Sequence, residues 1–236
     1  MQSIPDGIFE FNKQIIGATK SFCVAYKINT AFYEALGSRG WDIMERTLSL
    51  IPKTHFTIAD AKRGDIGNTS RQYAKAFFET LDFDAITVSP YMGADSIKPF
   101  LEYPGKWAII LGLTSNPGAA DFELQPAGHG LLYEQVFEKV SRWGTTENLM
   151  FVVGATKPES FKQIRALTPE HFYLVPGVGA QGGDLEAISK TALNKEIGLL
   201  VNVSRKIIYA SDAEDFALRA ADVASGYQKL MMEFIS

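Results

Sequence analysis

HFTIADAKRGDIGNTS, residues 55–70, holds the change of local structure that decides the fold. Its first half is apolar, β-branched and aromatic, as in a strand. Charged Asp60, Lys62, Arg63 and Asp65 then gather where the apolar run ends. Asn68 and Thr69 follow, residues suited to cap a helix. A strand whose charged end leads directly into a helix is half of a β-α-β unit, so the question is whether the pattern recurs.

It recurs on both sides. Apolar runs of the same kind are FCVAYKI (22–28), FDAITVSP (83–90), WAIILGLTS (107–115), LMFVVGAT (149–156), FYLVPGVG (172–179) and GLLVNVSR (198–205). Runs apolar on both faces suit parallel strands covered by helices. Helical periodicity between and after them predicts helices that include Thr69–Leu81, Gly130–Trp143, Gly183–Leu193 and Asp212–Phe234. Strand-helix alternation without a break in composition predicts an α/β fold in one domain spanning residues 1–236. Seven strands are one short of a TIM (β/α)8-type barrel. An open doubly wound sheet accounts for that count, as does a barrel lacking its first strand. No G-x-G-x-x-G follows an early strand, which weakens a dinucleotide-binding sheet.

Bulk properties narrow the function classes. With 236 residues, 46% of them hydrophobic, the chain can bury one large core. A net charge of -4 gives no basic footprint for nucleic acid or an anionic membrane. Cys23 is the single cysteine, so there is neither a disulfide framework nor a thiolate metal cluster. The first residues show no export signal and no run is long enough to span a bilayer, so a cytoplasmic location is expected.

Polar or glycine residues end most of the runs: Lys27, Asp60 and Lys62, Ser89, Thr114 and Ser115, Thr156, Gly177 and Gly179, Ser204 and Arg205. In a parallel barrel those ends carry the active site. The two-residue spacing of Asp60 and Lys62 predicts both side chains on one face of a strand, with Asp65 beyond it. Spacing alone leaves a structural ion pair and a chemical role both open. Lys27, at the end of the neighbouring strand, favours the second, because alternating charges in one low-dielectric mouth are costly unless used. Arg63 reads as a solvated surface arginine, and Gly64 as a residue serving the turn. Thr114 and Ser115, before Asn116-Pro117-Gly118, read either as local caps or as partners for a heterocycle. PGVGAQGGD (176–184), followed after the next strand by Arg205, is suited to a phosphate. His55, His129 and His171 show no metal spacing, and nothing demands a metal or redox cofactor.

In this order, VAYK, DAKRGDIGNT, TSNPG, PGVGAQGGD and NVSRKIIYAS closely resemble the orotidine 5'-monophosphate decarboxylase family, in particular its bacterial type 2 branch. The likeness runs from about Phe9 to the last helix. It implies a cofactor-free decarboxylase of orotidine 5'-monophosphate, working as a homodimer with a catalytic network of Lys27, Asp60, Lys62 and Asp65. Asp65 is expected to reach into the neighbouring subunit's site, as are Ile66, which packs near the pyrimidine, and Thr69, which binds ribose. Ser115 would read the pyrimidine edge, Pro176 would pack beside it, and Gln181 and Arg205 would hold the phosphate.

One departure stands out. Family members begin with a strand bearing a Gly-Leu-Asp-like motif whose aspartate binds ribose. MQSIPDGIFEFNK (1–13) offers only Asp6, in a Pro-Asp-Gly turn. A barrel with a gap, two unpaired edges and one substrate contact fewer is therefore expected. Two other functions compete: a metal-dependent aldolase or decarboxylase of a sugar phosphate, and a non-catalytic binding or assembly subunit.

Overall fold

Alternate residues of each apolar run face opposite ways, and the two sets form two separate cores. The computed structural model describes residues 6–156, 158–179 and 184–235. Its strands are β1 (Ala25–Asn29), β2 (Phe56–Arg63), β3 (Ala85–Val88), β4 (Trp107–Leu113), a two-residue ribbon β5 (Pro126–Ala127) and β6 (Gly130–Leu131), then β7 (Leu149–Val153), β8 (Phe172–Pro176) and β9 (Leu199–Asn202). The helices are α1 (Gly7–Thr19), α2 (Ala31–Glu34), α3 (Ser38–Leu48), α4 (Gly67–Lys75), α5 (Ala94–Leu101), α6 (Leu132–Val140), α7 (Pro158–Leu167), α8 (Leu185–Ala192), α9 (Arg205–Ile208) and α10 (Phe216–Ile235).

Seven strands form one parallel sheet in the order β1-β2-β3-β4-β7-β8-β9. The sheet curls into a nearly closed (β/α) barrel. Among the described residues nothing pairs β1 with β9, so these are the two expected edges. Ile58, Ala85, Ile109, Met150, Val152 and Leu174 pack with Phe56, Trp107, Leu111, Phe172 and Leu200 as the inner core. Their strand neighbours Ala59, Ile86, Ala108, Ile110, Phe151, Val153, Tyr173 and Val175 belong to the larger layer under the helices. The period of two thus sorts each strand into an inward and an outward row.

Three local readings need revision. The helix expected from Thr69 begins at Gly67, with extended Ile66 as its N-cap. It continues past Lys75 as a π-helical turn over Ala76–Thr80, whose wider winding accompanies burial of the adjacent Phe77 and Phe78. Arg63 is not a solvated surface residue. Its guanidinium is 2.5 Å from Glu34 Oε1, donates to the Ala61 carbonyl at 3.1 Å, and lies 5.3 Å from the Phe77 ring centre. Gly64 has no positive φ, and a Cβ there would meet only ordinary contacts, so the turn makes no special demand on it.

At the end of the barrel where strands begin, Arg165 of α7 lies 3.9 Å from the centre of the Tyr173 ring. It donates to the carbonyls of Thr168, Pro169, His171, Ala192 and Gly198 at 2.7–3.2 Å. One cation thereby ties the C-terminal ends of α7 and α8 to the starts of β8 and β9. His171 is buried beside it, its ring packed edge-on against Phe151.

Candidate active site

Following each inward row to its C-terminal end gives the floor of a single cleft. Phe56, Ile58 and Asp60 are one such row, Ala85 and Thr87 another, and Leu200 leads to Asn202. With Lys27 of β1, Leu111, Val152 and Leu174, these ends line a cleft of about 340 Å³. That is a small-ligand size. The loops that follow the strands supply the rim: Lys62, Thr114, Ser115, Asn116, Pro176, Gly177, Val178, Ser204 and Arg205. Apolar walls with a few polar ends give a low-dielectric mouth in which each charge counts.

Asp60 is the centre of the charged cluster. Lys27 Nζ lies 2.5 Å from its Oδ2 and Lys62 Nζ 2.5 Å from its Oδ1. Burial alone would raise the Asp60 carboxyl. The two ammonium groups outweigh burial, Lys27 foremost, and hold it below the usual carboxylate range. Asp60 is therefore an anion at neutral pH. The side chains of Lys27 and Asp60 are 13% and 11% exposed, whereas that of Lys62 is 52% exposed. Two members of the triad form a sheltered pair, and the third presents its chain to whatever fills the cleft.

Asp60 and Lys62 do meet at one place, but not through simple alternation. The ladder between β2 and β3 runs Ala59↔Ile86 and then Arg63↔Val88, which leaves three residues of β2 opposite one of β3. Within this bulge Lys62 has φ +47°, in the left-handed region that side chains rarely adopt. Its backbone N–H donates to Thr87 Oγ1 at 2.9 Å.

On the rim, Thr114 and Ser115 differ in their surroundings. Thr114 is held locally: its N–H and hydroxyl donate to the two Glu123 carboxylate oxygens at 2.7 and 2.8 Å. Ser115 faces the cleft. Beneath it Gly154 is required, since a Cβ there would lie 2.7 Å from the Ser115 backbone nitrogen. Across the mouth, Gly177 and Gly179 have φ of +95° and +77°, so the loop after β8 turns in a way only glycine adopts readily. Arg205 opens α9, next to Ser204. Gln181 lies outside the described residues.

Lys27, Asp60, Lys62, Ser115, Pro176 and Arg205 are brought together. Asp65, Ile66 and Thr69 are not among the residues lining this cleft. Asp65 Oδ1 accepts the Ile66 N–H at 2.7 Å, and Ile66 is 50% exposed. Thr87, Asn202 and Glu123 were not singled out from the sequence. The first two were within reach by counting in twos along their strands. Glu123, nine residues beyond Thr114 in an irregular loop, left no such signal. Among the described residues there is no group of three or more His, Cys, Asp or Glu side chains able to hold a metal, and no helix long and apolar enough to cross a membrane.

Comparison with known proteins adds an independent line. The family model described as "Orotidine 5'-phosphate decarboxylase / HUMPS family" matches residues 10–220. The orotidine 5'-phosphate decarboxylase of Christiangramia forsetii is 56% identical over 229 residues, covering 96% of this chain and 84% of that protein. The protein of the same name from Bacteroides fragilis strain ATCC 25285 is 52% identical over 233 residues, covering 97% and 85%. Among solved structures, Leishmania donovani OMP decarboxylase superposes with a TM-score of 0.83 at 37% identity, covering 93% of this chain and 87% of that one. The Methanocaldococcus jannaschii orotidine 5'-monophosphate decarboxylase complexed with the inhibitor BMP gives 0.74 at 27% identity, covering 94% and 92%.

Proposed function

The chain belongs to the orotidine 5'-phosphate decarboxylase / HUMPS family, and from that premise we propose that it decarboxylates orotidine 5'-monophosphate to UMP and CO2, the last step of de novo pyrimidine nucleotide synthesis. The observation that carries this reading is the Lys27-Asp60-Lys62 array at the mouth of an apolar barrel, with Ser115 and Arg205 on the same rim.

Loss of CO2 from C6 of the orotate ring leaves an electron pair in the ring plane, where the π system cannot delocalise it. The protein must stabilise concentrated negative charge. The Lys62 ammonium, anchored by Asp60, supplies a positive field at C6 and then the proton that completes UMP. Asp60 stands where the departing carboxylate has to lie, so repulsion between two anions is relieved as CO2 leaves. Lys27 keeps Asp60 ionised and in place. Ser115 reads the pyrimidine edge and Pro176 packs beside it. Arg205 and Gln181 take the phosphate, and that remote binding energy helps order the charged groups.

Every step uses protein side chains alone. The purified chain is expected to consume orotidine 5'-monophosphate, followed by loss of the orotate absorbance, at a rate unchanged by excess EDTA. No turnover overturns the reading, and loss of activity with EDTA favours the metal-dependent alternative.

The site is completed by a second copy. Asp65, Ile66 and Thr69 are absent from this protomer's cleft lining, and Ile66 is half exposed. They serve the partner's site in a homodimer. Lys62→Ala and Asp65→Asn chains, each nearly inactive alone, are expected to regain about a quarter of wild-type activity after mixing and subunit exchange, because half of a random mixture are heterodimers with one intact site of two. If Asp65 acts within its own chain, mixing restores nothing. A cytoplasmic location and small-molecule substrate complete the proposal, with no role for nucleic acid or membrane.

A further inference from the structure

The inward row of β3 ends at Thr87, which is 1% exposed and sits opposite the bulge of β2. The bulge interrupts the ladder that would otherwise fix residues 60–62, and it carries Lys62 in a left-handed conformation. Such a backbone is strained and persists only where its surroundings over-determine it. The groups that do so converge on one hydroxyl. Thr87 Oγ1 accepts the Lys62 N–H at 2.9 Å and donates its own hydrogen to Asp60 Oδ1 at 3.2 Å. The same Asp60 oxygen receives the Lys62 ammonium at 2.5 Å. Lys62 backbone, Thr87 hydroxyl, Asp60 carboxylate and Lys62 ammonium therefore close a ring.

We propose that Thr87 is a positioning residue for the decarboxylation: it fixes both ends of Lys62, the backbone directly and the ammonium through Asp60. The inference rests on the decarboxylase reading for its kinetic consequences but not for its geometry. A lysine has a long, flexible stem, and its ammonium has to sit at a defined point beside C6. Without the hydroxyl, the bulge N–H loses its partner and the oxygen that aims the ammonium is freed to turn. Displacement on the scale of 1 Å at a reacting group is worth about 100-fold in rate.

The test compares Thr87→Val, which keeps the β-branched shape and removes the hydroxyl, with Thr87→Ser, which keeps the hydroxyl. Thr87→Val is expected to lower kcat about 10- to 100-fold while KM changes by less than about threefold. Thr87→Ser is expected to stay within about threefold of wild type in both. Amide hydrogen exchange at Lys62, read by NMR or mass spectrometry on the same proteins, is expected to accelerate in Thr87→Val and stay protected in Thr87→Ser. Equal loss in the two variants, a change confined to KM, or unaltered Lys62 protection in Thr87→Val would overturn the inference. A wild-type chain that does not turn over orotidine 5'-monophosphate defeats the decarboxylase reading instead, and the exchange measurement then decides the geometry alone.

Discussion

Lys62→Ala is expected to lower kcat for orotidine 5'-monophosphate by about 10,000-fold or more, which is about 5.5 kcal/mol of lost transition-state stabilisation. In the proposed mechanism two effects disappear together, since there the same ammonium supplies the field at C6 and the proton that follows. A third effect acts in the wrong direction. Asp60 is held below the usual carboxylate range by two ammonium groups and keeps Lys27 at 2.5 Å when Lys62 is gone, so it remains an anion facing the carbanion. The fold should tolerate the change. Alanine and lysine meet the same steric penalty at φ +47°, and the half-exposed lysine stem fills no core volume. Lys62→Arg tests the division of labour, because guanidinium keeps the charge but does not surrender a proton at neutral pH. It is expected to remain severely impaired. A Lys62→Ala protein with kcat within tenfold of wild type would rule out the mechanism while leaving the family membership intact.

Arg165→Met is expected to destabilise the protein by about 3–5 kcal/mol and lower Tm by about 10 °C, with kcat at 25 °C unchanged. Methionine approximates the stem but removes donors to five carbonyls, and several of these lie where water has poor access. The contact with the Tyr173 ring is lost as well. The residue lies at the end of the barrel where strands start, whereas the cleft lies where they finish. Stability and catalysis should therefore separate. Thermal unfolding by circular dichroism measures the first, and a Tm within about 2 °C of wild type would refute the assignment.

The strand series shows how much could be read in advance. Runs apolar on both faces gave seven parallel strands in chain order, because burial on two sides leaves no place for a solvent-facing row. The ends of those runs named Lys27, Asp60, Lys62, Thr114, Ser115, Gly177, Ser204 and Arg205, which line the cleft, together with Ser89, Thr156 and Gly179, which do not; Pro176 came only from the family resemblance. Thr87 and Asn202 follow from the same count. Arg63 does not, because its partners Glu34 and Phe77 come from elements distant in sequence, and a lone arginine beside a turn looks the same whether solvated or enclosed.

Sequence by itself determined residues 55–70 as a strand, a charged end and a helix start, because period, charge and turn chemistry are local properties. Only the tertiary structure decided how Asp60 and Lys62 come to face one another. A period of two places them together on a flat strand, but the real strand bulges, and Lys62 is held there by a hydroxyl from β3 and a carboxylate shared with β1. Those forces act between strands, and no window along one strand contains them.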